Sequence, residues 1–251
     1  MRTMAMGWSE RDYPDTATLV AAVAGVFEAA CRDAIAQRGS AFLALAGGRT
    51  PLPVYAHLAN ARLGGRIDAV PTDERCVPHD HPACNLRNLR EAFARHPRES
   101  GNDGDVSMPS TADISASALT REDGDIDASL AQARALLAAH PEPFDAVLLG
   151  MGADGHFASL FPGAANLADG LAMDSGMDAI ATLPDPLPPE APFARVSLTL
   201  PRLLRARAVH LVVAGQDKRA VLRRAQQEPH APYPVASLLQ AAASPIHIHW
   251  S

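Results

Sequence analysis

From residue 15 onward the chain alternates between two hydrophobic rhythms. Leu19, Val23, Val26, Phe27, Ala30 and Ala34 recur at helical spacing, with Asp15 or Thr16 placed to cap and Gly39 to stop, which predicts a helix over 15–38. "AFLALA" (41–46) is an apolar run of strand length, and "GGRTP" follows at once, with Thr50 placed as a cap and Pro51 at the first position of a short helix to about Asn60. A less regular strand is expected near 66–72, where Pro71 cannot donate a ladder hydrogen bond, and Asn85 is placed to cap a helix to about His96. Residues 97–125 are rich in Ser, Asp, Gly and Thr and are expected to form surface loop, with only "VSM" (106–108) strand-like.

The second half repeats the alternation. "DASLAQARALLAAH" (127–140) predicts a helix and "AVLLG" (146–150) a strand, with further strands at "AIATL" (179–183), "RVSLTL" (195–200), "AVHLVVAG" (208–215) and "IHIHW" (246–250). Helices are expected after residue 200, at about 217–227 and at "PVASLLQ" (234–240), while five prolines between 184 and 192 make a stiff exposed connection. Strands alternating with helices predict an α/β fold, a mostly parallel sheet with helices on both faces. No internal repeat is visible, and 97–125 and 184–192 read as insertions within one domain spanning 1–251.

Composition narrows the partners. With 251 residues, 47% of them hydrophobic, the chain can bury a sizeable core. A net charge of -6 argues against nucleic acid or an anionic membrane as the main partner, so any anion must be met by a local group of cations. The N-terminus lacks the apolar run of a signal peptide and no stretch approaches a membrane span, which leads to the expectation of a cytoplasmic protein. Cys31, Cys76 and Cys84 form no C-x-x-C pair and are expected to be reduced thiols.

Four places could carry chemistry. Gly47, Gly48, Arg49 and Thr50 follow a strand and open a helix, as a phosphate cradle or an unliganded tight turn would. In "FDAVLLGMGADGHFASLFPG" (144–163), Gly150, Gly152 and Gly155 spell a dinucleotide fingerprint, but Pro162 ends any helix too soon for it. The same glycines would let a bent loop expose Asp154 and His156 for proton transfer, or simply to solvent. Asp73, Glu74 and Arg75 could hold sugar hydroxyls, stabilise developing charge, or form a surface ion pair. Arg195 and Lys218 each stand beside a strand end, and Lys218 is the only lysine against 21 arginines. His79 with His81, and His247 with His249, lack further ligands at metal spacing, so no metal site is expected.

"AGGRTP", "DERCVPHDHPACN", "LLGMGADGHFASLFPG", "RVSLTLPRLLRARAVHLVVAGQDK" and "PVASLLQ", in that order, resemble the glucosamine-6-phosphate deaminase/6-phosphogluconolactonase family over nearly the whole chain. "DGHFASLFPG" and Arg75, where the deaminases carry a tyrosine, look like the lactonase version. The resemblance implies a modified Rossmann-like fold shared with ribose-5-phosphate isomerase and glucosamine-6-phosphate deaminase. It also implies hydrolysis of 6-phospho-D-glucono-1,5-lactone to 6-phospho-D-gluconate in the oxidative pentose phosphate pathway, with no metal or organic cofactor and no obligate protein partner. Carried over by motif, Gly47, Gly48, Arg49 and Thr50 would cradle the phosphate with Arg195 and Lys218 as clamps. His156 would transfer the proton, assisted by Asp154 or Asp73, and Asp73 and Arg75 would line the sugar end. Cys76, Cys84 and Phe157 depart from the usual tryptophan, small hydroxyl or acid, and threonine. The alternatives are an amino-sugar phosphate deaminase or isomerase, and a non-catalytic sugar-phosphate sensor.

Overall fold

The computed structural model describes residues 7–94, 112–183, 192–228, 231–241 and 244–251. Its first helix, α1 (Thr16–Arg38), begins where Asp15 accepts a hydrogen bond from the Thr18 amide at 2.7 Å and stops where Gly39 takes φ 80°. The left-handed conformation suits glycine and closes the helix.

Seven parallel strands form the main sheet: β1 (Trp8–Asp12), β2 (Ser40–Leu45), β3 (Arg66–Pro71), β5 (Asp113–Ala116), β6 (Ala146–Gly150), β9 (Val209–Val213) and β10 (Ile246–Trp250). Their order across the sheet is β1-β10-β9-β6-β2-β3-β5. Successive residues of one strand serve different cores: Phe42 and Ala44 pack with Leu137, Phe144 and Leu239, whereas Leu43 and Leu45 pack with Val23, Phe27 and Tyr55. Two covered faces explain why "AFLALA" is apolar throughout rather than alternating.

The remaining helices are α2 (Leu52–Asn60), α3 (Asn85–Ala94), α4 (Ile126–Ala139), α5 (Leu167–Leu171), α6 (Leu200–Leu204), α7 (Gln216–Gln227) and α8 (Pro234–Ala241). None of the described helices is long and apolar enough to cross a membrane. The chain passes from β2 to β3 on one side, and later places β6 and β9 on the other. This reversal beside β2 is where doubly wound sheets open a crevice at the carboxyl ends of their strands.

The structure departs from the expected arrangement in several places. The strands near 179–183 and 195–200 leave the main sheet; as β7 (Ala179–Thr182) and β8 (Arg195–Leu198) they join β4 (Asp73–Arg75) in a separate antiparallel sheet ordered β4-β8-β7. Residues 113–116, expected as loop, form the edge strand β5, and the N-terminal stretch supplies the other edge, β1. Both are too polar to show an apolar run, which is how natural sheets guard their edges. Pro71 ends β3 beyond the last residue paired with β5, so its missing N–H breaks no ladder. "VSM" lies outside the described residues.

Thr50 and Asn85 are not the caps expected of them. Pro51 occupies the cap position of α2 with no side-chain hydrogen bond, leaving the first amides of that helix unsatisfied by the protein's own side chains. At α3, Asn85 is the first helical residue, and the cap comes from Glu74 instead.

Candidate active site

The ends of β2, β6 and β9 and the small sheet enclose a cleft of about 340 Å³. Gly47, Gly48, Arg49 and Thr50 line it from the turn after β2, Asp73 and Arg75 from β4, Arg195 from β8, and Lys218 from the first turn of α7. His156 faces the same space from the loop after β6. Nine of the ten residues to which the resemblance gives catalytic or substrate-binding roles therefore line one cavity, and the tenth, Asp154, stands behind His156.

The loop after β6 is shaped around that pair. Asp154 Oδ1 lies 2.6 Å from His156 Nδ1 and also accepts from the His156 amide at 3.2 Å. A carboxylate can only accept, so Nδ1 carries the proton and Nε2 is left to a ligand. Burial alone would raise the Asp154 carboxyl, but the hydrogen bond and charge of His156 outweigh it and hold it below its ordinary value. Gly152 makes room: a Cβ there would lie 2.2 Å from the imidazole and 2.6 Å from Asp154 Oδ1. The imidazole rests against Phe161, centroids 4.2 Å apart, and the Arg195 guanidinium carbon lies 5.0 Å from the centroid of the same Phe161 ring. Ala158 adopts φ 47°, a left-handed kink between His156 and Ser159.

Asp73 belongs to a different network. Its Oδ2 accepts from Ser159 Oγ at 2.5 Å and lies 3.9 Å from Arg195 Nη1, while Oδ1 accepts from Thr72 at 3.3 Å. Burial lowers the Arg195 pKa, the charge of Asp73 raises it, and neighbouring Arg75 lowers it again, for a net decrease. Arg75 donates from Nη1 to the Ala83 carbonyl at 2.8 Å and to Asn85 Oδ1 at 2.7 Å, both neutral acceptors.

Charge defines what this cleft can take. Four cationic side chains line it against one carboxylate, Asp73, and among the described residues only Arg195 has a carboxylate within 4.0 Å. α2 and α7, both opening here, lack side-chain caps, whereas α1, α4 and α6 are capped by Asp15, Asp125 and Thr199. Helix amides without side-chain caps and four cationic side chains converge in this one cavity, within a chain of net charge -6, a composition suited to an anion.

The sequence reading missed Ser159 as the partner of Asp73 and Asn85 as a cleft residue. Neither carries a charge or a motif of its own; both matter through long-range contacts. The paired histidines are engaged elsewhere: His79 with the Thr120 carbonyl at 2.9 Å, His247 with Ser9 at 2.8 Å, and His249 with His210 at 3.1 Å. Among the described residues no group of three or more His, Cys, Asp or Glu is placed to hold a metal ion.

Fold and cleft together define an α/β protein with a cation-lined cleft and an Asp-supported histidine at the strand ends. Residues 14–250 match the family of glucosamine-6-phosphate isomerases/6-phosphogluconolactonase, and the chain belongs to it. It is 33% identical to a 6-phosphogluconolactonase of Mesorhizobium japonicum, over 95% of this chain and 93% of that protein. A 6-phosphogluconolactonase of Caulobacter vibrioides is likewise 33% identical, over 92% and 91%. Among solved structures, a 6-phosphogluconolactonase from Shewanella baltica superposes with a TM-score of 0.81 at 28% identity, covering 96% of this chain and 97% of that one. A monomeric glucosamine-6-phosphate deaminase shares the fold, with a TM-score of 0.73 at 18% identity over 96% of each chain.

Proposed function

We propose that the chain, working as one catalytic domain, hydrolyses 6-phospho-D-glucono-1,5-lactone to 6-phospho-D-gluconate. The observation that carries this is the Asp154–His156 pair, 2.6 Å apart, facing a cleft whose other walls hold Arg49, Arg75 and Lys218, none of which has a carboxylate within 4.0 Å among the described residues. Relatives at 33% identity that bear the lactonase name support the choice of substrate.

In this reading the turn from Gly47 to Thr50, Arg195 and Lys218 hold the phosphate. A dianion remote from the reacting carbon fixes orientation, which is worth several kcal/mol of the barrier at about 7–11 kcal/mol for ideal positioning. Asp73 and Arg75 line the sugar end. Water attacks C1 while His156 Nε2 takes its proton; the carbonyl electrons move to oxygen, and guanidinium donors meet the developing charge. Collapse of this intermediate breaks the bond from C1 to the ring oxygen, which recovers the proton from His156. Asp154 keeps the imidazole in the Nδ1–H tautomer and stabilises its charged form. A lactone is an activated ester, so no covalent nucleophile is needed.

The test is hydrolysis of freshly generated lactone, coupled to 6-phosphogluconate dehydrogenase and corrected for spontaneous opening, with His156→Ala alongside. The wild type is expected to accelerate the reaction and the variant to lose about 10²-fold or more in kcat with KM little changed. A wild type no faster than the spontaneous rate would overturn the lactonase reading, and ammonia release from glucosamine 6-phosphate would then be measured.

A further inference from the structure

Glu74 sits between two cleft residues on β4, yet its side chain points away from them and is fully buried. Its carboxylate meets four donors. Oε1 accepts from the amides of Arg75 and Asn85, each at 2.8 Å; Oε2 accepts from the Leu86 amide at 2.6 Å and faces the Cys84 thiol at 3.5 Å. Burial pushes the Cys84 thiol up to about 11, so it remains a donor. Four donors match the lone-pair capacity of a carboxylate; burial raises the Glu74 carboxyl above its ordinary value, and the three amide bonds offset part of that rise.

This cap is unusual in its origin. A helix is ordinarily capped by the residue directly before it; here that residue is Cys84, and the cap crosses from the strand carrying Asp73 and Arg75. The start of α3 is thereby tied to the cleft wall. Asn85, 1% exposed, extends the tie: Nδ2 donates to the Asp73 carbonyl at 2.8 Å and Oδ1 accepts from Arg75 Nη1 at 2.7 Å. The same amide presses on the turn after β2, where a Cβ on Gly47 would lie 2.0 Å from Asn85 Oδ1. One side chain thus touches the glycine turn, the Asp73 backbone and the Arg75 guanidinium.

We propose that Glu74, acting through Asn85, is the positioning residue that sets where the Arg75 guanidinium stands in the cleft. Glu74 fixes the first turn of α3; Asn85 Oδ1 from that turn and the Ala83 carbonyl just before it both hold Nη1, which leaves the other terminal nitrogen of Arg75 for a ligand. A guanidinium on a long flexible stem gains catalytic value when its geometry is imposed in advance.

The inference rests on the lactonase reading, and a double-mutant cycle in kcat/KM tests it. Asn85→Ala and Glu74→Gln are each expected to cost about tenfold or more in the wild-type background, but less than about twofold once Arg75→Met has removed the group they position. Equal losses in both backgrounds would mean a merely structural role and overturn the proposal. Should Glu74→Gln fail to fold, Asn85→Ala carries the test, because it leaves the backbone amides that Glu74 caps. If the wild type hydrolyses no lactone, the same cycle is read in affinity for 6-phosphogluconate by calorimetry. Coupling there would uphold the positioning role while the lactonase reading falls, and absence of binding would overturn both.

Discussion

Arg75 and Arg195 stand directly opposite each other on the adjacent antiparallel strands β4 and β8, and both guanidiniums line the cleft. Like charges in that relation destabilise a sheet by roughly 0.2–1 kcal/mol. Asp73, 3.9 Å from Arg195, offsets one of them. A bound dianion relieves the rest, so inorganic phosphate or 6-phosphogluconate should raise the thermal midpoint. At about 100 times Kd the gain is about 2.7 kcal/mol, or roughly 5–10 °C for a chain of this size. Differential scanning fluorimetry checks this, and Lys218→Met should shrink the shift; a midpoint indifferent to either anion would remove the anion site.

Gly152 offers a way to move the Asp154–His156 pair without deleting it. Its backbone does not need positive φ, so alanine is cheap for the chain itself, but the new Cβ would overlap His156 and Asp154. Gly152→Ala is expected to lower kcat by about 10²-fold, approaching His156→Ala, with KM changed less than about threefold. Full activity in the alanine variant would show that the pair need not hold this geometry.

Asp154→Asn keeps shape and removes charge. The amide no longer favours the Nδ1–H tautomer or the imidazolium, so kcat should fall by about 10²-fold or more while product affinity persists. An unchanged kcat would leave His156 working without its carboxylate.

Stability should depend on pH through a second, buried pair of side chains. His210 and His249, on neighbouring strands of the main sheet, are 3% and 1% exposed and share a hydrogen bond of 3.1 Å. Burial, followed by the charges of neighbouring histidines and Arg11, lowers His210 to about 3 and His249 to about 4. Unfolded histidine titrates near 6.5, so below about that pH the unfolded chain binds more protons than the folded one. Stability should therefore fall as pH drops from about 6.5 toward 4, by an amount on the order of several kcal/mol. Urea denaturation at a series of pH values measures the slope, and His210→Leu with His249→Gln should flatten it; a slope unaffected by those changes would assign it to other groups.

Much of the site was legible because its residues are concentrated at glycine-bearing turns after apolar strands. "AFLALA" had to be a strand buried on both faces, and the turn after it had to lie at a carboxyl end. Pro162 argued against a long dinucleotide helix after Gly155. The polar edge strands at 8–12 and 113–116 were not legible, since "WSERD" and "DISA" carry no apolar run. Nor was the capping of α3: Asn85 is a good local cap, and only the strand crossing from Asp73 to Arg75 brings Glu74 to its amides first.

By itself the sequence determined the alternation of strands and helices, the placing of Gly47–Thr50, Asp154 and His156 at strand ends, and the family pattern they follow. These depend on periodicity and turn chemistry, which act over a few residues. Tertiary structure decided that β4, β7 and β8 form their own sheet, that Arg75 opposes Arg195, and that Asp154 rather than Asp73 touches His156. The small sheet and the Arg75–Arg195 opposition depend on pairing between segments up to 124 positions apart, as with Asp73 and Ser197, where the choice of partner is made by burial and hydrogen bonding across the fold.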